Sequence, residues 1–381
     1  MRQFSVRNER GIALVIAIVA LVVIGAIVAG TFFISTLEQR TSFNTVQTTQ
    51  AFEAAEAGLQ EATANWDVSW NTMATGVSTS WSTTTSLGGS AASYRYTVKN
   101  LNDQIFLLTS EGSKDGATQT LASLIRLVTT PVNVGAAVTS GGNSQVGGNA
   151  TIDGRDTIPA GWTRSPACPH SPDKAGIRSS GTIGTNGTPA IYGTPAKVEH
   201  DAGVTTDLFQ SPFQQLKQQA TLSFVGGNGQ GNYVTFPTVA PTATGSPARC
   251  DKTNAYNWGE PLRTGTYVAQ CTSYAPVVYI NGNAKFISAG RGQGILLVEG
   301  DLAIAGGFQW VGLVIATGEV KTGNGTSNVT GAILAQNADI GDQTSFSGTP
   351  VVSYSRCALD YVMHLSALGR PVAGRSWAQV F

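Results

Sequence analysis

The sequence predicts an α+β protein. A long N-terminal helix crosses a membrane and continues as a stalk, a small antiparallel β-sheet follows, and then comes a β-solenoid, read as a parallel β-helix, with a loop-rich insertion. Three observations carry this reading. Residues 12–34 contain no charged side chain. No proline precedes Pro131, and all 15 prolines and 4 cysteines of the 381-residue chain follow Thr130. Beyond that break, segments starting at Val278, Leu296, Leu313 and Ile333 align on one another at spacings of 18, 17 and 20 residues. The expected boundaries are a basic leader at 1–11, the helix at 12–66, the sheet region at 67–130, the solenoid at 131–355 with an insertion at about 159–275, and a C-terminal helix and strand at 356–381.

As a helix, the 23 residues of 12–34 rise about 35 Å, enough to span a hydrocarbon core of about 30 Å. Arg2, Arg7 and Arg10 stand before this run against a single Glu9, and Glu38 precedes Arg40 behind it. The positive flank belongs on the cytoplasmic side, so everything after Leu37 is expected outside the membrane. The helical pattern does not stop there. Residues 36–66 hold glycine only at Gly58, and Phe52, Ala55, Leu59, Ala62 and Trp66 step by three and four, forming a narrow seam that calls for a partner.

A short basic leader ending in glycine, a membrane helix and an amphipathic stalk resemble the N-terminal region of type IV pilin-like proteins. The nearer resemblance is to PilX-type N-terminal domains of pilus assembly proteins, carried by Arg10-Gly11-Ile12-Ala13-Leu14-Val15 and by Ala51-Phe52-Glu53-Ala54-Ala55-Glu56-Ala57-Gly58-Leu59. The resemblance implies cleavage by a prepilin peptidase between Gly11 and Ile12, and packing of the seam on the helices of other pilin-like subunits. Major pilins carry a glutamate at the fifth mature position; here that position is Ile16, which argues against the main filament subunit. A plain membrane anchor with a helical spacer explains the apolar run equally well, but gives no role to the long seam or to Gly11.

Charged residues make up only 12% of the chain, with formal net charge zero, so no basic surface excess points to nucleic acid. Cys168, Cys250, Cys271 and Cys357 fall in the part expected outside the membrane, where disulfides persist. Four cysteines allow three pairings. Joining the nearest in sequence, Cys250 and Cys271, closes a loop in the insertion and leaves Cys168 with Cys357. No pair has the CxxC spacing of a zinc ribbon or thiol redox site.

Between helix and solenoid, 66–92 reads as an irregular connection packed on the stalk by Trp66, Trp70 and Trp81. Strands are expected at 93–99, 104–111 and 119–128, with turns at Asn100 to Asp103 and across 112–116. The parity of Tyr94, Tyr96 and Val98, and of Leu121, Ser123, Ile125 and Leu127, gives this meander one buried face. In the repeat region each unit has an apolar strand, a small or amide-bearing corner and a second alternating strand; 135–140, 145–153 and 176–192 look like degenerate copies. The insertion holds one helix, capped by Ser211, with Pro212 in its first turn and Phe213, Leu216 and Ala220 on one face, lying across an end or flank of the solenoid. A short helix at 354–366 is expected to bury Leu359, Val362, Met363 and Leu365 in part, followed by a last strand at 376–381.

Candidates for chemistry are sparse. Asp153, Arg155 and Asp156 read as a self-capping turn. Glu299 and Asp301 flank a repeated corner, where their counterparts are Asn281 with Asn283 and Thr317 with Glu319. In Glu199-His200-Asp201, neighbours along a strand point apart, which disfavours a metal site. Cys168 and His170 share a loop without a second ligand pair. Trp310, like Phe308, suits core stacking better than an exposed glycan contact. No cofactor, metal or catalytic residue is therefore assigned. The functional expectation is a non-enzymatic pilin-like component, a minor or tip subunit of a type IV pilus or related secretion system, held in a bacterial inner membrane with its N-terminus cytoplasmic and its solenoid displayed outside. The alternatives are a membrane-anchored adhesion or binding module outside any filament and, least favoured, a β-helix carbohydrate-active enzyme.

Overall fold

The computed structural model describes residues 10–89, 91–165, 168–204, 207–323, 325–341, 348–372 and 377–380. Residues 1–9 of the expected leader, with Arg2 and Arg7, lie outside them, as do the ends of the expected last strand, Ser376 and Phe381. The chain divides into two compact units, one drawn from 1–65, 75–126 and 371–381 and the other from 66–74 and 127–370.

The first unit is built on helix α1, Arg10–Ala64, and an antiparallel sheet of Thr85–Ser86, Ser93–Asn102, Ile105–Lys114, Ala117–Val128 and Trp377–Val380. Two side-chain patterns set the hairpins. Asn102 Oδ1 accepts from the amides of Gln104 and Ile105 at 2.9 and 2.8 Å, closing the first turn. Asp115 and Gly116, both at positive φ, make the second as a two-residue Asp-Gly hairpin. The expected turn across 112–116 is thus two residues wide. Gly112 instead lies mid-strand, where an added Cβ would stand 2.1 Å from the carbonyl oxygen of Ala51 and 2.3 Å from the amide nitrogen of Ala55. Gly58 answers from the helix, its Cβ position 2.2 Å from Ser110 Oγ. Alanine and glycine on both surfaces let α1 approach the sheet at backbone distance, and Ala51, Ala54, Ala55 and Ala62 are fully buried.

The second unit holds three ladders of parallel strands. In the first, Leu222–Val225, Val277–Asn281, Arg291–Val298, Gln309–Thr322, Asn328–Ile340, Ala136–Ser140, Ala175–Ser179 and Lys197–Val198 lie side by side in that spatial order. A second ladder includes Val234–Phe236, Ala284–Phe286, Leu302–Ile304, Ser144–Val146 and Ile183–Thr185; a third includes Val351–Tyr354, Thr151–Asp153 and Ala190–Tyr192, each joined by parts of the long strands. The chain enters this stack at 136, runs outward to 198, crosses through helix α2, Asp207–Gln218, to the far end at 222, and returns until Ile333 pairs with Val138.

Three expectations change here. Leu296 pairs with Val314, and Leu313 with Ile295, one residue away from the alignment drawn from sequence. Both parities are apolar in these segments because the first ladder is buried on both sides, so hydrophobic pattern alone does not fix the register. Secondly, 222–236 is not loop but a further repeat of the stack, separated from Val278 by the long excursion at 237–276. Thirdly, α2 starts at Asp207, so Pro212 sits inside it rather than in its first turn; Phe213 and Leu216 are fully buried as expected, and Ala220 lies past its end. Helix α3, Arg356–Leu365, is capped by Ser355, whose Oγ accepts from the Ala358 amide at 3.2 Å, and buries Leu359, Val362 and Leu365. Within the stack, Phe236, Phe286 and Phe308 follow one another at centroid spacings of 5.1 and 4.8 Å, with Trp258 between Phe286 and Trp310. Phe308 and Trp310 are core residues, each 1% exposed.

A candidate membrane and assembly helix

Helix α1 has two halves of opposite character. From Leu14 to Ile34 every large apolar side chain is exposed, Leu21 at 72% and Phe32 at 69%, and Leu37, Phe43 and Val46 continue the exposure. Among the described residues this is the one helix long and apolar enough to cross a membrane. Thr41, Thr45, Thr48 and Thr49 fold their hydroxyls back onto carbonyls four residues earlier at 2.8–2.9 Å, which satisfies them without an outside partner. From Ala51 onward, one face belongs to the chain itself.

The predicted seam therefore divides. Ala55 and Ala62 are fully buried, while Phe52 and Leu59 are half-buried at the margin of that face. Trp66 is not on the helix. Asp67 Oδ1 accepts from the Ser69 amide and starts a short 3-10 helix, Val68–Thr72, and the Trp66 ring lies against Gly369 and edge-on to Trp70 in the second unit. Trp66 Nε1 donates to Asn71 Oδ1 at 2.9 Å, and Asn71 Nδ2 donates to the carbonyls of His364, Leu365 and Ala367, terminating α3. Trp66 and Trp70 thus belong to the second unit, and Trp81, 41% exposed with Arg95 over its ring, is not a stalk anchor. Gly11 and Ile12 fall in the first turn of α1; their side chains lie outside the described residues.

The carboxylates weighed for chemistry are each committed elsewhere. Arg155 forks onto Asp153 at 2.9 and 2.7 Å and stacks on Tyr192. Glu299 accepts from Lys217 at 2.7 Å and from the Tyr279 hydroxyl, fastening α2 to the first ladder. Asn283 Oδ1 accepts from the Asp301 amide, and Asp301 Oδ1 from the Glu319 amide, at 2.8 and 2.9 Å, so these side chains build the repeated corner. Glu199 caps the Ile183 amide, and Asp201 pairs with Arg178 at 2.6 Å. His200 adopts positive φ in the turn between them. Among the described residues no group of three or more His, Cys, Asp or Glu is placed to hold a metal ion. Cys168 bonds to Cys357 and Cys250 to Cys271.

Asp156 lies deepest of these acids, its side chain wholly buried, accepting from Arg164 at 2.8 Å and from the amides of Ser171 and Arg356 at 2.8 and 2.9 Å. Burial pushes its carboxyl upward, but the two amides and the guanidinium outweigh that and hold it below the ordinary 3.8. Its contribution to folding is therefore complete above about pH 3.8 and drains away as pH falls through the lower, folded-state value. We expect the stability gap between the native chain and Asp156→Asn to be large at pH 7 and to shrink at pH 3, measured by urea unfolding at both. An equal gap at the two pH values would refute this role.

Sequence reasoning missed a second buried carboxylate in this unit, paired with a part-exposed arginine. Glu260, its side chain wholly buried, accepts from Arg291 Nε and Nη2 at 2.9 and 2.8 Å and from the amides of Leu262 and Val268 at 3.1 and 2.8 Å. The residues of 257–260, Asn-Trp-Gly-Glu, gave no periodic signal to find it by.

Comparison with known proteins bears on α1. Residues 10–60 match the family model described as PilX N-terminal. A search among curated proteins gives no significant match. Among solved structures, the competence-associated pilin ComZ from Thermus thermophilus aligns over 88% of this chain and 97% of its own, at 14% identity and a TM-score of 0.23.

Proposed function

We propose that this chain, whose residues 10–60 are of the PilX N-terminal type, is a non-enzymatic minor or tip subunit of a type IV pilus or related secretion system. The observation that carries the reading is the divided helix: an apolar half that no described residue of its own chain covers, continuous with a half whose alanine face is already occupied by its own sheet. The exposed half suits an inner membrane before assembly and neighbouring helices after it, with the N-terminus cytoplasmic. The partners in this reading are other pilin-like subunits and a prepilin peptidase acting between Gly11 and Ile12. We read the three parallel ladders as faces of a β-solenoid carried outside the cell. Its bulk beside a slim helix favours a low-copy position, because close packing along a filament leaves little room for such a load on every subunit.

A second reading, an anchored binding module outside any filament, draws support from Ile16, an uncharged residue at the fifth position after Gly11. Mass spectrometry of the N-terminal residue separates the two. A chain beginning at Ile12 in sheared surface material supports assembly; a chain retaining residues before Gly11, found only in membranes, supports the anchor. Replacing Phe52 and Leu59 together by aspartate is expected to lower recovery in the sheared fraction at least about tenfold while leaving the second unit folded, since both sit at the accessible margin of α1. Unchanged recovery would remove these residues from the assembly surface.

A further inference from the structure

A cavity of about 310 Å³ opens beside α3 in the second unit. Leu359 and Met363 of α3, Leu313 of the first ladder, and Val132 with Val134 line it with hydrocarbon. Leu313 and Leu359 are buried, so this apolar part is the floor. The mouth is charged: Lys174, Arg356 and Asp360 also line the cavity, the last two with side chains 50% and 42% exposed. Arg356, Leu359, Asp360 and Met363 follow one another at the spacing of a single helix face, which α3 therefore turns toward the cavity. The charges do not balance. Arg356 Nε donates to Asp360 at 2.6 Å, which commits the one acid among the described lining residues. Lys174 has no ion-pair partner among the described residues, and Arg356 keeps its terminal nitrogens for a further acceptor. Both cations stand on backbone that is held in place. The Lys174 amide donates to the Gly154 carbonyl at 2.8 Å, and its carbonyl accepts from the Thr194 amide at 2.9 Å. Asp156 accepts from the Arg356 amide and donates its own amide to Asp173 Oδ1 at 3.3 Å, so it joins the two segments that carry the cations. The Cys168–Cys357 disulfide ties α3 to the same stretch of chain. Walls fixed before a ligand arrives lose little freedom when it binds.

We propose that this cavity binds a small apolar monocarboxylate, with its hydrocarbon on Leu313, Leu359 and Met363 and its carboxylate on Lys174 and the terminal nitrogens of Arg356. A hydrocarbon floor with a few convergent polar groups is the usual composition of a small-molecule site, and this volume lies at the small end of such sites. At about 30 Å³ for each water displaced, the space holds roughly ten non-hydrogen atoms. Two cations against one acid leave the lining with a single positive charge, which favours an anion over an amine or a neutral amide. The occupant is a free acid or the last residue of another chain, since each presents an alkyl group next to a carboxylate. Every lining residue belongs to the second unit, so the inference does not rest on the membrane helix.

The test uses the full chain in lipid nanodiscs with methyl-labelled methionine, read by NMR. The chain has 3 methionines, and Met363 is the one that lines the cavity. Isocaproate and N-acetyl-leucine are the probes, N-acetyl-leucine amide is the uncharged control, and empty nanodiscs correct for uptake by lipid. A saturating shift of the Met363 methyl is expected with either acid, with the Met73 methyl unmoved. Tighter binding of N-acetyl-leucine supports the proposal with a chain terminus as occupant; isocaproate binding at least as tightly supports it with a free acid. Lys174→Gln, and the amide in place of the acid, should each weaken binding at least about tenfold, the worth of a charge-assisted hydrogen bond. Asn133→Trp, at an exposed residue of the lining, should block both acids, and an unchanged urea midpoint of the two variants shows that the fold is intact. Absence of a saturable shift at Met363, equal binding of the amide, or undiminished binding to either variant overturns the proposal.

Discussion

Replacing Glu260 by alanine is expected to destabilise the second unit by about 2–3 kcal/mol, the cost of removing a buried carboxylate that accepts charge-assisted and amide hydrogen bonds. Its buried carboxylate takes four donors, and removal leaves the amides of Leu262 and Val268 without this acceptor, while Arg291, its side chain 30% exposed, turns to solvent and to the Thr266 carbonyl. Urea unfolding followed by tryptophan fluorescence would read this through Trp258, which lies in the same segment and is fully buried. The double variant Glu260→Ala with Arg291→Ala should lose less than the two single losses combined, because neither charge is then left alone. A single-variant loss below about 1 kcal/mol would mean that water enters the site and the pair is not structural.

The second large effect is expected at Gly112. Substitution by leucine places Cβ against the main chain of α1 at Ala51 and Ala55, and no side-chain rotation relieves a clash with backbone. Either the helix lifts from the sheet or the first unit fails to fold, at a cost of about 3 kcal/mol or more, the upper end of overpacking penalties. Hydrogen exchange of the amides at 51–62 should accelerate strongly while the second unit keeps its unfolding transition. Gly116→Leu is no substitute control, since its positive φ adds strain of its own; Ser113→Leu, on the half-buried parity of the same strand, is the better comparison. Protection at 51–62 that survives Gly112→Leu would show that the helix does not rest on this strand.

Much of the architecture was legible because it rests on local chemistry. The uncharged run at 12–34, the first hairpin turn at Asn102 and the repeated corner at Asn283 and Asp301 each state their structure within a few residues. The errors arose where distant chain decides. Trp66 continues the helical spacing, yet its ring is claimed by Gly369, some 300 residues on. Leu222–Val225 lies far in sequence from its partner strand, so no period announces it. Register in the first ladder was off by one because α2 and α3 cover its outer side and erase the alternation that fixes parity elsewhere. The candidate helix itself was readable from spacing, but which of its faces is already taken depends on Gly112 and Tyr94, which only the folded sheet brings beside it.

Sheet order in the first unit has a consequence for how the protein is made. Trp377–Val380 pairs with the strand Ala117–Val128, and most of the chain between them in sequence, up to Arg370, is the second unit. During synthesis at about 5–20 residues per second, the edge at 117–128 therefore waits roughly 12–50 s for its neighbour. A ribosome that stops anywhere in that interval releases a chain whose strand Ala117–Val128 lacks this neighbour.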